Sequence, residues 1–177
     1  MRFGKCIIFL VLFGVATTAS AKPGPWQFLT RENGISVHAR DVPGRNLPEF
    51  RGTAILGAHM LEVLGVLDDT ARHVEWMASC SDAGVVTQKD AFERVLYNRT
   101  DAPWPVSDRD VVLKVWVRVD LTKKEVWSHF RDTTSALKPP IAGVVRMPAL
   151  RGWYHLTALD AHRTRVIYQV AADPGGL

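Results

Sequence analysis

The sequence predicts an α+β fold. Two strand-like segments come first, a helical segment follows, and about six strands joined by short turns run to the end. Strands connected by tight turns pair antiparallel, and grouping them apart from the helix separates this class from alternating α/β folds. The 177 residues are 47% hydrophobic and 23% charged, which is ordinary globular composition and excludes collagen-like, coiled-coil and disordered chains. The length suits one domain with its own core.

Residues 1–21 stand apart from that fold. Arg2 and Lys5 make a short positive start, Ile7 to Ala16 is an apolar run, and Ala19-Ser20-Ala21 is a small-x-small cleavage pattern. Together these predict a secretory signal peptide, leaving a domain over residues 22–177 that is exported to the periplasm or the extracellular space. Cleavage removes Arg2 and Lys5 and no acid, so Lys+Arg falls from 22 to 20 against 18 Asp+Glu and the formal net charge falls from +4 to +2. So small an excess gives no support to nucleic-acid binding, which needs a clustered basic face. One cysteine, Cys80, remains, so no internal disulfide is expected and the core alone must hold the domain.

The segment Ile35 to Arg40 alternates, with Ile35, Val37 and Ala39 on one face, and follows the turn signal Asn33-Gly34. Phe50 to Leu56 reads as its hairpin partner. Ala58 to Asp69 carries Met60, Leu61, Leu64 and Leu67 at helical spacing. Trp76 and Met77 follow a polar link that suggests another helical turn. Strands are then expected over Phe92 to Asn98, Asp110 to Asp120, Lys124 to Arg131, Val144 to Met147, Gly152 to Leu159 and Thr164 to Ala171. Asp160-Ala161-His162-Arg163 is a hairpin turn.

The strand at 111–119 is the most informative. Val111, Leu113, Val115, Val117 and Val119 share one face, while Lys114, Trp116 and Arg118 share the other. Such a strand belongs to a sheet wet on one side. Its dry face is either packed core or the wall of an apolar cavity, and alternation alone does not separate the two.

No nucleophile elbow, phosphate loop or His-Glu-x-x-His is present. His59 and Glu62 sit at i, i+3 but lack a third ligand, so a surface pair is the simpler reading. Arg109, between Asp108 and Asp110, fits an ion-pair lock. No metal, cofactor or catalytic set is predicted, and the chain reads as a non-enzyme.

The block Pro103-Trp104-Pro105-Val106-Ser107-Asp108-Arg109-Asp110, entering a long strand, resembles the hallmark segment of START (StAR-related lipid-transfer) domains. The helix ending in Leu67-Asp68-Asp69, the segment Gly152-Trp153-Tyr154 and the closing Tyr168 to Gly176 resemble the family in the correct order. The resemblance spans roughly Trp26 to Leu177. It implies a helix-grip (START/Bet v1-like) fold, in which a curved antiparallel sheet wraps a C-terminal helix around a tunnel for one lipid or sterol-like apolar ligand. It also implies transient membrane contact, with 132–143 as a loop beside the tunnel mouth. The sequence ends at Leu177, where the family's C-terminal helix begins, so that helix is expected to be missing here. Some family members carry a charged pair in the tunnel, and the apolar inward positions of 111–119 offer none.

The ligand wall expected from this reading is Val111, Leu113, Val115, Val117 and Val119 with Val166, Tyr168 and Val170, and Phe130 and Met147 as further candidates. Arg109 and Asp110 are assigned a structural role. Burying ~300 Å² of apolar ligand at ~25 cal/mol per Å² recovers roughly 7 kcal/mol, enough to hold a lipid in transit. The alternatives are a helix-grip enzyme, cyclase- or hydrolase-like, using a base such as His129 or His155 on a hydrophobic substrate, and an interaction module that docks a partner on its concave face.

Overall fold

A computed structural model of the chain describes residues 22–176. The expected signal peptide lies outside them. Ten strands form one sheet: β1 (Gln27–Glu32), β2 (Ile35–Arg40), β3 (Glu49–Leu56), β4 (Cys80–Gln88), β5 (Glu93–Thr100), β6 (Arg109–Asp120), β7 (Glu125–Asp132), β8 (Val145–Arg146), β9 (Ala149–Ala158) and β10 (Thr164–Asp173). Between β3 and β4 lie α1 (Met60–Asp68), a 3-10 turn (Thr70–Arg72) and α2 (His73–Trp76). The strand order is β1-β2-β3-β10-β9-β7-β6-β5-β4, all antiparallel, with the short β8 parallel to the start of β6. The sheet and the segregated helices are those of the helix-grip fold. No helix follows β10 among the described residues.

Local chemistry explains the elements. Asn33 and Gly34 both take positive φ (49° and 80°), the turn that joins β1 to β2 with the right twist. At the start of α1, His59 Nδ1 accepts the Leu61 amide at 3.3 Å, and Glu62 Oε2 accepts the His59 amide at 3.0 Å. The pair expected on the surface is therefore a reciprocal cap that satisfies two helix-end amides. The inward stripe of α1 is Met60, Val63, Leu64 and Leu67, at i, i+3, i+4 and i+7, while Leu61 is exposed. The expected stripe placed Leu61 inside; the helix begins with Met60 facing the sheet, which turns Leu61 outward.

Two strands escaped the sequence. Both β1 and β4 are edge strands interrupted by bulges, at Phe28/Thr30, Cys80/Asp82 and Val85/Thr87. A bulge breaks the two-residue alternation that marks a strand.

The core lies between α1 and the concave side of the sheet. It joins Met60 and Val63 to Leu96, Val111, Leu113, Val115, Val117, Val126, Phe130 and Leu156. Gly152 is required there. A Cβ at this position would lie 2.1 Å from the Gln169 carbonyl oxygen and 2.5 Å from Phe130 Cζ. The missing side chain lets the Phe130 ring pack flat on β9.

Candidate functional site: a concave cavity with one buried arginine

Alternation along the central strands divides the sheet cleanly. Leu96 pairs with Leu113, Asn98 with Val111 and Arg94 with Val115, so these residues of β5 and β6 share the concave face. Ser128 and Phe130 of β7, Tyr154 of β9 and Tyr168 of β10 continue it. Beside α2 this face encloses a partly open cavity of about 130 Å³. Leu67, Trp76 and Met77 from the helical segment and Met147 and Leu150 from the β8–β9 region complete its wall.

Among the predicted wall residues, Val111, Leu113, Val115 and Tyr168 line the cavity, with Phe130 and Met147. Val117 is buried core, and Val119, Val166 and Val170 pack against that core, outside the cavity lining. α1 packs on β7 and β9, and its last turn, at Leu67, reaches the cavity. Phe130, Tyr154 and Tyr168 form an aromatic cluster, the two tyrosine rings stacked at 4.6 Å. Burial pushes the Tyr168 hydroxyl pKa up to about 12 and that of Tyr154 higher still, so both stay neutral donors.

The polar part of the cavity was not anticipated. Arg94 is 6% exposed and pairs with Asp68 at the end of α1. Its Nε is buried without a hydrogen-bond partner. The inward positions of 111–119 carry no charge; the cation at the cavity comes from β5, and its carboxylate partner, a third exposed, from the end of α1. A lone Arg in the apolar strand Phe92 to Asn98, on the same face as Leu96, was the available signal. His73, at the start of α2, is buried, with Nε2 3.1 Å from the Leu67 carbonyl and Nδ1 3.4 Å from Asn98 Oδ1. That arrangement fixes the ring and orients Asn98 into the wall.

The predicted Arg109–carboxylate lock is built differently. Asp110, 1% exposed, is held by Arg146 from β8, and Asp108 by Arg99 from β5. Alternation turns Arg109 to the opposite face, where it donates to the carbonyls of Ser107 and Gly175. The Asp110–Arg146 pair and the Lys138 ammonium 3.7 Å over the Tyr97 ring fasten 133–146 against the outer side of β5 and β6. Both proposed bases, His129 and His155, lie on the outer, convex face, in register with Trp116 and Trp127, and do not reach the cavity. Burial pushes the Cys80 thiol pKa up, which keeps it from thiolate chemistry. Among the described residues no cluster of three or more metal-ligating side chains occurs, and no helix is long and apolar enough to cross a membrane.

A curved antiparallel sheet with segregated helices, whose concave side holds a mostly apolar cavity, defines the helix-grip class of domains. No family model matches the chain. A crystal structure of a STAR-related lipid transfer protein fragment from Xanthomonas axonopodis is 31% identical, with a TM-score of 0.77 over 85% of this chain and 83% of that one. The chain belongs to the StAR-related lipid-transfer (START) family. Human StAR-related lipid transfer protein 5 shares the fold, with a TM-score of 0.76 and 22% identity over 92% of this chain and 76% of its own. An uncharacterised protein of Pseudomonas aeruginosa is 28% identical over 170 residues, 96% of this chain and 82% of that relative.

Proposed function

We propose that this protein binds, and carries, one lipid or other apolar molecule in the concave cavity, without chemistry. The observation that carries this reading is the pairing of an apolar wall with a single buried arginine whose Nε lacks an acceptor. An apolar pocket with one convergent polar group is how small hydrophobic ligands are both held and oriented. The Arg94 Nε–H donates to a hydroxyl, carbonyl or ester oxygen at the ligand's polar end. The hydrocarbon part lies along Val111, Leu113 and Val115 against the Phe130, Tyr154 and Tyr168 rings. The family relationship supports a lipid as cargo. Residues 1–21 support export, so the carrier acts outside the cytoplasm.

Native mass spectrometry of the protein exposed to a membrane lipid extract tests the reading. One lipid per chain, lost on Leu113→Trp, is the expected result. An empty protein after exposure to phospholipid, sterol and free fatty acid overturns it.

A further inference from the structure

The convex face of the sheet carries a second built feature, on the opposite side from the cavity. Cross-strand register puts Trp116 beside His129 and His129 beside Trp153, and in the next row Trp127 beside His155. The rings stack on one another. Trp116 and His129 are 5.4 Å apart and 7° from parallel, His129 and Trp127 are 5.7 Å apart, and Trp127 and His155 are 3.8 Å apart. Trp153 leans on Trp127 at 5.2 Å. Each of these five side chains is partly exposed. Three tryptophans gathered on one solvent-facing surface of a domain with six in its whole sequence are more than scattered surface apolar residues.

Exposed arginines frame this patch. Arg131 and Arg151 face each other across β7 and β9, one row beyond Trp116 and His129. Arg165 lies beyond His155 on β10, in the row of Glu125 and Thr157. Among the described residues none of the three is in an ion pair. Two acids on this face pair with cations: Glu93 lies 2.9 Å from Lys114, and Asp120 lies near Arg118 and Lys123. Glu125 faces His155 at 3.6 Å. Arg131 leans over the Trp116 ring at 6.0 Å. The result is an indole and imidazole crest with two arginines, Arg131 and Arg151, at one edge and Glu125 and Arg165 at the other.

We propose that this convex crest docks the protein on an anionic phospholipid bilayer. Indoles prefer the headgroup level of a membrane, and arginines at its edge are drawn to anionic headgroups. A nucleic acid or a sugar fits less well, because those ligands dock on open ring faces, and here the faces are turned on one another. A bilayer needs only partly exposed indoles and the exposed cations beside them. Docking through the back of the sheet leaves the concave cavity clear of the surface, so it tethers the protein without closing the ligand site. It also stands independently of whether that site holds a lipid.

The test is co-sedimentation of residues 22–177, the chain left after the expected cleavage, with sucrose-loaded vesicles of phosphatidylcholine alone or mixed with phosphatidylglycerol, at low and high salt. The expected result is at least tenfold stronger binding to the phosphatidylglycerol vesicles at low salt, lost on R131E/R151E and kept on W104A, which removes the exposed loop tryptophan. Both arginines are exposed, and a thermal melt checks that the variant is folded; R131Q/R151Q, which only removes charge, is expected to weaken binding in the same direction. Equal binding to both vesicles overturns the proposal. So does loss of binding on W104A with retention on R131E/R151E, or a wild-type dimer in sedimentation velocity that R131E/R151E dissociates.

Discussion

Arg94 of β5 and Asp68 at the end of α1 form an ion pair beside the concave cavity. The two ends differ in solvation: the arginine side chain is 6% exposed and the aspartate 34%. The pair thus ties the helical segment to the sheet while leaving the buried Arg94 Nε without a hydrogen-bond partner.

Removing the anion strands that buried cation. Breaking a fully buried pair costs about 3–5 kcal/mol, and the half-solvated aspartate places Asp68→Asn nearer ~2 kcal/mol. Arg94→Met, by contrast, removes the buried charge and keeps the bulk, so stability changes by less than for Asp68→Asn. Ligand affinity responds in the opposite order: Arg94→Met weakens binding of a lipid with a polar end by about tenfold, the worth of one hydrogen bond from a charged donor. Urea denaturation and ligand titration of the two variants separate the effects.

Gly152 and Phe130 make the second prediction. A methyl group at 152 meets both the Gln169 carbonyl and the Phe130 ring. Gly152→Ala is expected to cost about 3 kcal/mol, at the upper end of overpacking substitutions. Phe130→Leu in the same chain does not restore stability, because the backbone clash with β10 persists. Chemical denaturation of the single and double variants measures both.

How far the sequence reveals this molecule differs between its two faces. Unbroken alternation made β6 legible to within a residue, and with it the dry wall at Val111, Leu113 and Val115. The α+β class and the START resemblance followed from element order and the block at Pro103 to Asp110. The polar site was less accessible. Arg94 and Asp68 lie 26 residues apart and meet only because α1 ends over β5. Nothing local shows that the ring of His73 turns inward to Asn98. The Asn98-Arg99-Thr100 triplet has the form of a glycosylation sequon, yet Asn98 is 7% exposed and bonded within the wall. Side-chain partners across elements are tertiary facts that local pattern does not carry.

Acid weakens the fold through the convex face. Burial holds the imidazoles of His129 and His155 below the usual histidine range; for His155 the Glu125 carboxylate opposes this and Arg165 adds to it. Their neutral forms are favoured in the folded chain more than in the unfolded one. The unfolded chain therefore binds more protons once the pH drops below the ordinary histidine value near ~6.5, and stability falls with pH from there until the folded-state values are passed. Melting temperatures from pH 8 to 5 are expected to decline below that point. The double variant H129F/H155F, which keeps rings in the stack, is expected to flatten the decline; an unchanged slope would place the acid sensitivity elsewhere.

The cavity itself is the last and most direct prediction. Leu113 and Val115 project into it from β6, on the same concave face as the Tyr154–Tyr168 stack. Both edges of β6 are hydrogen-bonded, to β5 and β7, so added bulk at Leu113 enters the hollow first. Leu113→Trp is expected to fill part of the cavity, raise or preserve the melting temperature and lower lipid occupancy at least tenfold. Val117→Trp, four residues along the same face, enters packed core and is expected to destabilise by about 1–3 kcal/mol through overpacking. If both variants lose stability alike, the space beside Leu113 collapses in solution and the carrier reading fails; if only Val117→Trp does, the hollow and the core are distinct parts of one dry face.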